Sequence, residues 1–247
     1  MEETHRIYLD DQYARSCKAK ILNIIRRKGR RAYIILDRTV FHPLGSGQPS
    51  DTGMIRRGES VFVVKKVLDK NGKVLHYGVF RGSNFSEGDE VLCVLDWKAR
   101  YAVMRLHTGG HILDYAVMRS YGGKVATISA FHGPPTAFIE YAVEEKPNIT
   151  EIESIANSIV ARNLPVVTRW VDRGELWASV YNAPNMDRVP LVDKYRIVEV
   201  KSVNAMPCMG THVAYTLEVG RLIIEKSERT EKGWKIYYRV EDPNGEA

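Results

Sequence analysis

The chain has 247 residues, of which 44% are hydrophobic and 27% charged, and its formal net charge is +6. These values are those of a soluble globular protein, and the three cysteines are not expected to form a disulfide framework. No apolar run has the length of a membrane span, and the N-terminus does not resemble a signal peptide. The sequence therefore predicts a cytoplasmic protein without a membrane partner.

Residues 1–97 are predicted to form a β-rich domain. Short apolar runs alternate with turn-forming Gly, Asn and Asp, and the predicted strands cover residues 17–25, 31–36, 53–56, 61–68, 73–79 and 90–96. Five or six short antiparallel strands at this spacing are typical of a small barrel.

A glycine-rich segment interrupts this strand pattern at residues 45–53. Gly45 and Gly47 give it a backbone that a ligand can approach closely, and Thr39 and Gln48 offer polar side chains nearby. An ordinary loop between strands is the alternative interpretation. Neither of the glycine-rich phosphate-binding patterns fits the segment, so we expect no nucleotide cofactor.

Basic residues cluster in the same part of the chain, at positions 26–28, 30–31, 56–57 and 65–66. Solvent-exposed hairpin ends would explain any one of these clusters. Several of them within one half of the chain favour contact with the phosphate backbone of a nucleic acid.

The hydrophobic period changes at residue 98 and predicts a helix to about residue 120 that carries His107 and His111. Residues four apart on a helix leave the same face, so both imidazoles can reach one metal ion. Far downstream, Cys208 and His212 repeat the spacing and add a thiolate and an imidazole. Three histidines and one cysteine are a normal ligand set for zinc. The segment lacks the glutamate that an H-E-x-x-H metalloprotease carries between its ligands.

Further features of residues 98–247 predict a sheet with helices against it. Two glycines, Gly109 and Gly110, stand between the histidines and predict that a substrate or another backbone approaches the helix there. Thr150 and Glu153 form a capping-box pattern that predicts the start of a second helix, and His132 is predicted to be a turn residue. Short strands and one short helix follow, and the Cys208 segment is predicted to be a loop.

With these motifs the chain resembles the alanyl-tRNA editing proteins of the AlaX type, which are freestanding relatives of the editing domain of alanyl-tRNA synthetase. The family's HxxxH and CxxxH motifs match His107/His111 and Cys208/His212. Its glycine-rich motif, GGGQPxDTG, matches residues 45–53, with Ser46 in place of one glycine. The likeness runs from about residue 7 to about residue 240, and the chain resembles the medium form of the family.

The resemblance implies an α+β protein with an N-terminal small antiparallel β-barrel (1–97) and an α+β zinc-binding editing domain (98–247). It implies one Zn²⁺ per chain and zinc-assisted hydrolysis of the ester in mischarged tRNA(Ala). The misplaced amino acid is expected to be chiefly serine, with glycine as the other candidate. By analogy, Gln48 with Gly45 and Gly47 line the editing pocket, and Thr39 senses the serine hydroxyl. Gly110 stands where the synthetase domains often carry a threonine that helps to exclude alanine.

Two other interpretations stay open. In one, Cys208 is a nucleophile and His212 its base. In the other, the chain is a non-catalytic RNA-binding module stabilised by a structural zinc.

Overall fold

The computed structural model describes residues 3–82 and 85–241. The chain divides into two compact units, Met1–Ala102 (unit 1) and Val103–Ala247 (unit 2). The division falls within a long helix, and the domain boundary predicted at residues 97/98 stays a prediction. No helix among the described residues combines the length and apolar composition that a membrane span requires.

Unit 1 is built around a closed six-stranded barrel, as predicted, in the order β2-β3-β7-β6-β5-β8 with every pairing antiparallel. Its elements are β1 (His5–Arg6), α1 (Ile7–Asp10), β2 (Ser16–Arg26), β3 (Arg31–Leu36), β4 (Arg38–Thr39), β5 (Gly53–Arg57), β6 (Ser60–Lys70), β7 (Lys73–Arg81) and β8 (Glu90–Leu95).

The barrel interior is filled by alternate residues of each strand. In β7, for example, Val74, His76, Gly78 and Phe80 are buried while the residues between them are partly exposed. Gly78 is required by a close approach of strands, because a Cβ there would lie 2.1 Å from the backbone carbonyl oxygen of Val63. This period of two fixes which side chains face inward and which form the outer wall.

Unit 2 holds two antiparallel sheets, with strand orders β14-β15-β10-β9 and β11-β12-β13. The long helix α2 (Trp97–Ser120) leads into it from unit 1. The other elements are β9 (Thr127–Phe131), β10 (Ala137–Tyr141), α3 (Ile149–Ala161), β11 (Val166–Asp172), α4 (Leu176–Ser179), β12 (Lys194–Val200), β13 (Asn204–Pro207), β14 (Leu222–Arg229) and β15 (Trp234–Val240). Sheets with a few helices give the mixed α and β composition that the sequence predicts.

One local prediction in unit 2 is wrong, and one strand is missed. Helix α3 begins at Ile149, and its N-cap is Asn148, whose side chain accepts a hydrogen bond from the Glu151 backbone at 3.3 Å. Thr150 therefore lies inside the first turn, because the asparagine two residues earlier caps the free N–H groups equally well. Cys208 itself lies in a loop, as predicted, but strand β13 directly before it, which pairs with β12, is not predicted by the sequence.

Candidate metal centre

Helix α2 presents His107 and His111 on one face within unit 2. Both side chains are buried, and their ring centroids lie 5.3 Å apart at an interplanar angle of 76°. The spacing of four residues along a regular helix produces this arrangement, as predicted from the sequence. Asn204 in β13 donates a hydrogen bond of 2.7 Å to the backbone carbonyl of His111, which ties the helix to the second sheet.

Cys208 and His212 reach the same place from the segment after β13. The Cys208 Sγ lies 3.4 Å from Nε2 of His107 and 3.4 Å from Nε2 of His212. The four potential ligand atoms of His107, His111, Cys208 and His212 all lie within 4.8 Å of one another. The structure thus brings together two pairs of residues that are about a hundred positions apart in the sequence.

The Cys208 segment is held by a buried arginine that the sequence does not single out. Arg196 in β12 is 1% exposed, and its Nη1 donates hydrogen bonds of 2.9 Å to the carbonyl oxygens of both Cys208 and Gly210. The Gly210 backbone N–H in turn lies 3.4 Å from the cysteine sulfur. These contacts fix the backbone from which the thiol projects.

Thr108 orients the imidazole of His212. Its hydroxyl lies 3.2 Å from Nδ1 of His212 and accepts a hydrogen bond of 3.1 Å from the Val213 backbone. If Nε2 of His212 binds an ion, Nδ1 carries the ring proton and donates it to the Thr108 oxygen. Outer hydrogen bonds of this kind fix the tautomer of a metal-binding histidine.

His132 packs against the cluster, although the sequence predicts it to be a turn residue. It is buried, and its ring stacks on His107 with centroids 4.4 Å apart at 17°. The Tyr238 hydroxyl donates to the Leu106 carbonyl at 2.9 Å, so it accepts the 2.7 Å hydrogen bond from Nδ1 of His132. His132 is outside the group of four potential ligands.

The two glycines of α2 have different surroundings. A Cβ on Gly110 would lie 2.5 Å from two ring atoms of His132 and 2.8 Å from the Tyr238 hydroxyl. A Cβ on Gly109 would meet Val219 and its other neighbours at 3.4 Å or more, which is ordinary contact. The structure therefore places two side chains, those of His132 and Tyr238, close to the helix backbone at Gly110.

Burial sets the protonation states within the cluster. Burial, with a smaller contribution from the charge of Arg196, lowers the pKa of His111 to about 3, so this imidazole is neutral near pH 7. Burial also raises the pKa of the Cys208 thiol to about 11. A nearby cation would offset the cost of the thiolate, since an opposite charge favours the ionised form.

The residues present fit a bound metal ion. Ligand atoms around a tetrahedral zinc lie about 3.5 Å apart, given Zn–N and Zn–S bonds of about 2.0 and 2.3 Å. The two sulfur–nitrogen distances of 3.4 Å agree with this spacing. Nδ1 of His111 is buried and has no hydrogen-bond partner among the described residues, which also suits an imidazole that binds an ion. The cluster could therefore hold a metal.

The predicted pocket residues Thr39, Gln48, Gly45 and Gly47 all lie in unit 1. Gly45 and Gln48 close a tight turn with backbone hydrogen bonds of 2.9 and 3.3 Å, and Ser46 and Gly47 between them have φ of 52° and 72°. These values are typical of a type I′ turn, and the Gln48 side chain is buried.

Thr39 is buried, and its hydroxyl has partners within unit 1. Nδ1 of His76 lies 2.9 Å from the Ile34 carbonyl and must donate to it, so Nε2 accepts the Thr39 proton at 2.8 Å. The Thr39 oxygen also accepts from the Phe41 backbone at 3.1 Å. The predicted role of Thr39 in recognising a substrate stays a prediction.

Asp51, in the same glycine-rich segment, forms a buried ion pair with Arg100 that no pattern in the sequence indicates. The Arg100 Nε donates to the carboxylate at 2.9 Å, Nη2 pairs with its second oxygen, and the His42 backbone N–H also donates to it. Both side chains are almost completely buried. The glycine-rich segment is therefore anchored to the first turn of α2 within unit 1.

Comparison with known proteins places the chain among proteins of aminoacyl-tRNA metabolism. The family described as tRNA synthetases class II (A) matches residues 10–99. The alanyl-tRNA editing protein AlaX-M of Saccharolobus solfataricus is 31% identical over 245 residues, which are 96% of this chain and 99% of that protein.

Two longer relatives match almost as much of the chain. The alanyl-tRNA editing protein AlaX-L of Pyrococcus horikoshii is 34% identical over 94% of this chain, and the chain spans 57% of its length. The alanine–tRNA ligase of Pyrobaculum calidifontis is 32% identical over 94% of this chain, which spans 26% of that enzyme.

Proposed function

Because the chain belongs to the AlaX family of alanyl-tRNA editing proteins, we propose that it hydrolyses the ester of mischarged tRNA(Ala), chiefly Ser-tRNA(Ala). The observation that carries this proposal is the cluster of His107, His111, Cys208 and His212 in unit 2, formed by residues that match the family's two metal motifs. The similarity to AlaX-M over nearly the whole of both chains supports it.

We propose that these four residues hold one zinc ion. A bound zinc supplies Lewis acidity, which polarises an ester carbonyl or a water molecule. The chain itself holds the four metal-binding side chains in position. Thr108 fixes the orientation of His212, and Arg196 fixes the backbone of the Cys208 segment. Burial keeps His111 neutral, which is the form in which an imidazole binds a metal.

Selectivity for serine is proposed to depend on polar groups of the glycine-rich segment and on Thr39. A site that offers a partner for a substrate hydroxyl can reject an analogue without it by a factor of about 10⁴, whereas an apolar pocket cannot. Thr39→Val should reduce the preference for Ser-tRNA(Ala) over Ala-tRNA(Ala), and Thr39→Ser should preserve it. An unchanged preference in a folded Thr39→Val protein would remove Thr39 from the proposal.

The number of ligands favours a second candidate, a non-catalytic RNA-binding module with a structural zinc. A catalytic zinc usually has three protein ligands and an open position, and the cluster offers four protein ligands. The third interpretation, Cys208 as a nucleophile, is disfavoured, because a thiol with a pKa of about 11 is almost entirely protonated near pH 7.

Deacylation of Ser-tRNA(Ala) by the purified protein tests these candidates, with Ala-tRNA(Ala) as the comparison substrate. Metal-loaded and chelator-treated protein are compared, together with Cys208→Ala. Cys17→Ala is the matched control, because Cys17 is a partly buried cysteine in unit 1.

Hydrolysis of Ser-tRNA(Ala) that requires both metal and Cys208, without hydrolysis of Ala-tRNA(Ala), would support the editing function. Tight tRNA binding without hydrolysis would favour the non-catalytic RNA-binding module with a structural zinc. Full activity of metal-free protein that still required Cys208 would favour the nucleophile.

A further inference from the structure

The net charge of the chain is concentrated in one unit. Residues 1–102 contain 19 Lys and Arg against 12 Asp and Glu, a net charge of +7, so residues 103–247 carry −1. The potential around unit 1 is therefore positive, and that around unit 2 is close to neutral. A polyanion is the kind of partner that such a unit attracts.

Part of this charge borders a groove on the outer wall of the barrel. The groove has a volume of about 520 Å³ and runs across β2, β3, β7 and β6. Its floor is apolar and aromatic, with Tyr33, Ile35 and Leu75 on outward positions of neighbouring strands. Its cationic lining is Arg27, Lys70 and Lys73, and no Asp or Glu lines it among the described residues.

The cations lie at the two ends of this floor. Arg27, at the β2–β3 turn, has its guanidinium carbon 5.4 Å from the centre of the Tyr33 ring, and Tyr33 lies 5.1 Å from Tyr77 on β7. Lys70 and Lys73 face each other across β6 and β7 at the other end. Arg27 and Lys70 are both solvent-exposed.

Local acids do not neutralise Arg27 and Lys70. Asp69 precedes Lys70 in β6, and it pairs with Arg6 at 2.7 Å. Glu3 lies near the β6–β7 turn, where a Cβ on Gly72 would be 2.8 Å from its carboxylate. Arg27 and Lys70 form no ion pair among the described residues, so these two side chains keep the rim positive.

We propose that this groove binds the sugar–phosphate backbone of the tRNA, with phosphates on Arg27 and Lys70 and the apolar floor with Tyr33 facing the sugars and bases. Positive grooves with aromatic floors suit RNA because phosphate contacts supply affinity and rings accept any base. The identity of the RNA rests on the proposed function, whereas the groove and its charge do not.

Binding of fluorescently labelled, uncharged tRNA(Ala) tests the proposal, measured by anisotropy at several salt concentrations. The test variant is R27E/K70E. The matched control is K18E/R56E, which makes the same change of charge. Lys18 and Arg56 are exposed and flank Leu92, on the barrel wall formed by β2, β8 and β5.

The test variant should bind tRNA at least tenfold more weakly than the control. The slope of log K against log salt should be smaller by about 1 to 2, because two phosphate contacts are lost. Equal affinities and equal salt slopes for the two variants would overturn the proposal. A wild-type protein that deacylates tRNA although its tRNA binding does not depend on this groove would overturn it too. Binding that requires Arg27 and Lys70 in a protein without deacylase activity would support the groove and refute the proposed function.

Discussion

Replacing the two adjacent glycines of α2 with alanine should have opposite effects on stability. Alanine is favoured over glycine in a helix interior by about 1 kcal/mol. At Gly109 the new methyl group meets its neighbours at 3.4 Å or more, so Gly109→Ala should retain most of this gain. At Gly110 the methyl group would lie 2.5 Å from the His132 ring, and one of the two must move.

The cost at Gly110 exceeds the helical gain. Overpacking a core costs about 1 to 3 kcal/mol. Displacing His132 also breaks its 2.7 Å hydrogen bond to Tyr238, and leaving a buried polar group unpaired costs about 1 to 3 kcal/mol more. Gly110→Ala should therefore lose about 1 to 5 kcal/mol, whereas Gly109→Ala should gain up to about 1 kcal/mol.

Urea denaturation of the metal-loaded proteins measures both effects, with metal content determined in parallel. Because His132 stacks on His107, the Gly110 variant should also bind metal more weakly. A Gly110→Ala protein as stable as Gly109→Ala would refute this reasoning. The same contacts argue that Gly110→Thr, which introduces the residue common in the synthetase domains, would be more damaging still.

Three further predictions concern unit 1, each measured as the free energy of unfolding. Ser46→Gly should stabilise unit 1 by about 1 kcal/mol, because Ser46 has a left-handed φ of 52° that strains a residue with a side chain. An unchanged free energy of unfolding would show that Ser46 is not strained. Asp51→Asn should cost about 3 kcal/mol or more, because it leaves Arg100 buried without its anion; equal urea midpoints would refute this. Stability should fall from about pH 6.5 towards pH 4, because burial lowers the pKa of His76 to about 4 and the unfolded chain takes up the proton first. His76→Gln should flatten that fall.

The barrel could be predicted because its strands carry a complete local pattern. The predicted limits of β3 agree with the structure, and those of β2 differ by one residue at each end, since apolar alternation and turn residues mark both. The cap of α3 could not be decided in the same way. Asn148 and Thr150 are both good capping residues, and local sequence alone does not show which one the helix uses.

The four potential ligands could be predicted because both motifs repeat one spacing, whereas the residues that support them carry no such pattern. Arg196, Asn204 and Tyr238 look like ordinary strand residues, and their roles depend on contacts between segments distant in the sequence. The paired glycines predict that a substrate or another backbone approaches the helix, but the structure shows a close neighbour at Gly110 alone, and it is a side chain. Only the folded structure identifies it as His132, which in the sequence resembles a turn residue.

The contacts of unit 2 also bear on how metal removal should be interpreted. Small zinc domains unfold without their ion, because the ion replaces a hydrophobic core. Unit 2 has such a core of its own, in which Ile139, Leu222 and Ile236 are completely buried, and Arg196 and Asn204 tie the ligand-bearing segments to its second sheet. Chelation should therefore leave the circular dichroism spectrum of the protein largely unchanged. Loss of deacylation by a chelated protein that is still folded would then reflect the chemistry of the site, whereas unfolding on chelation would favour the structural-zinc module.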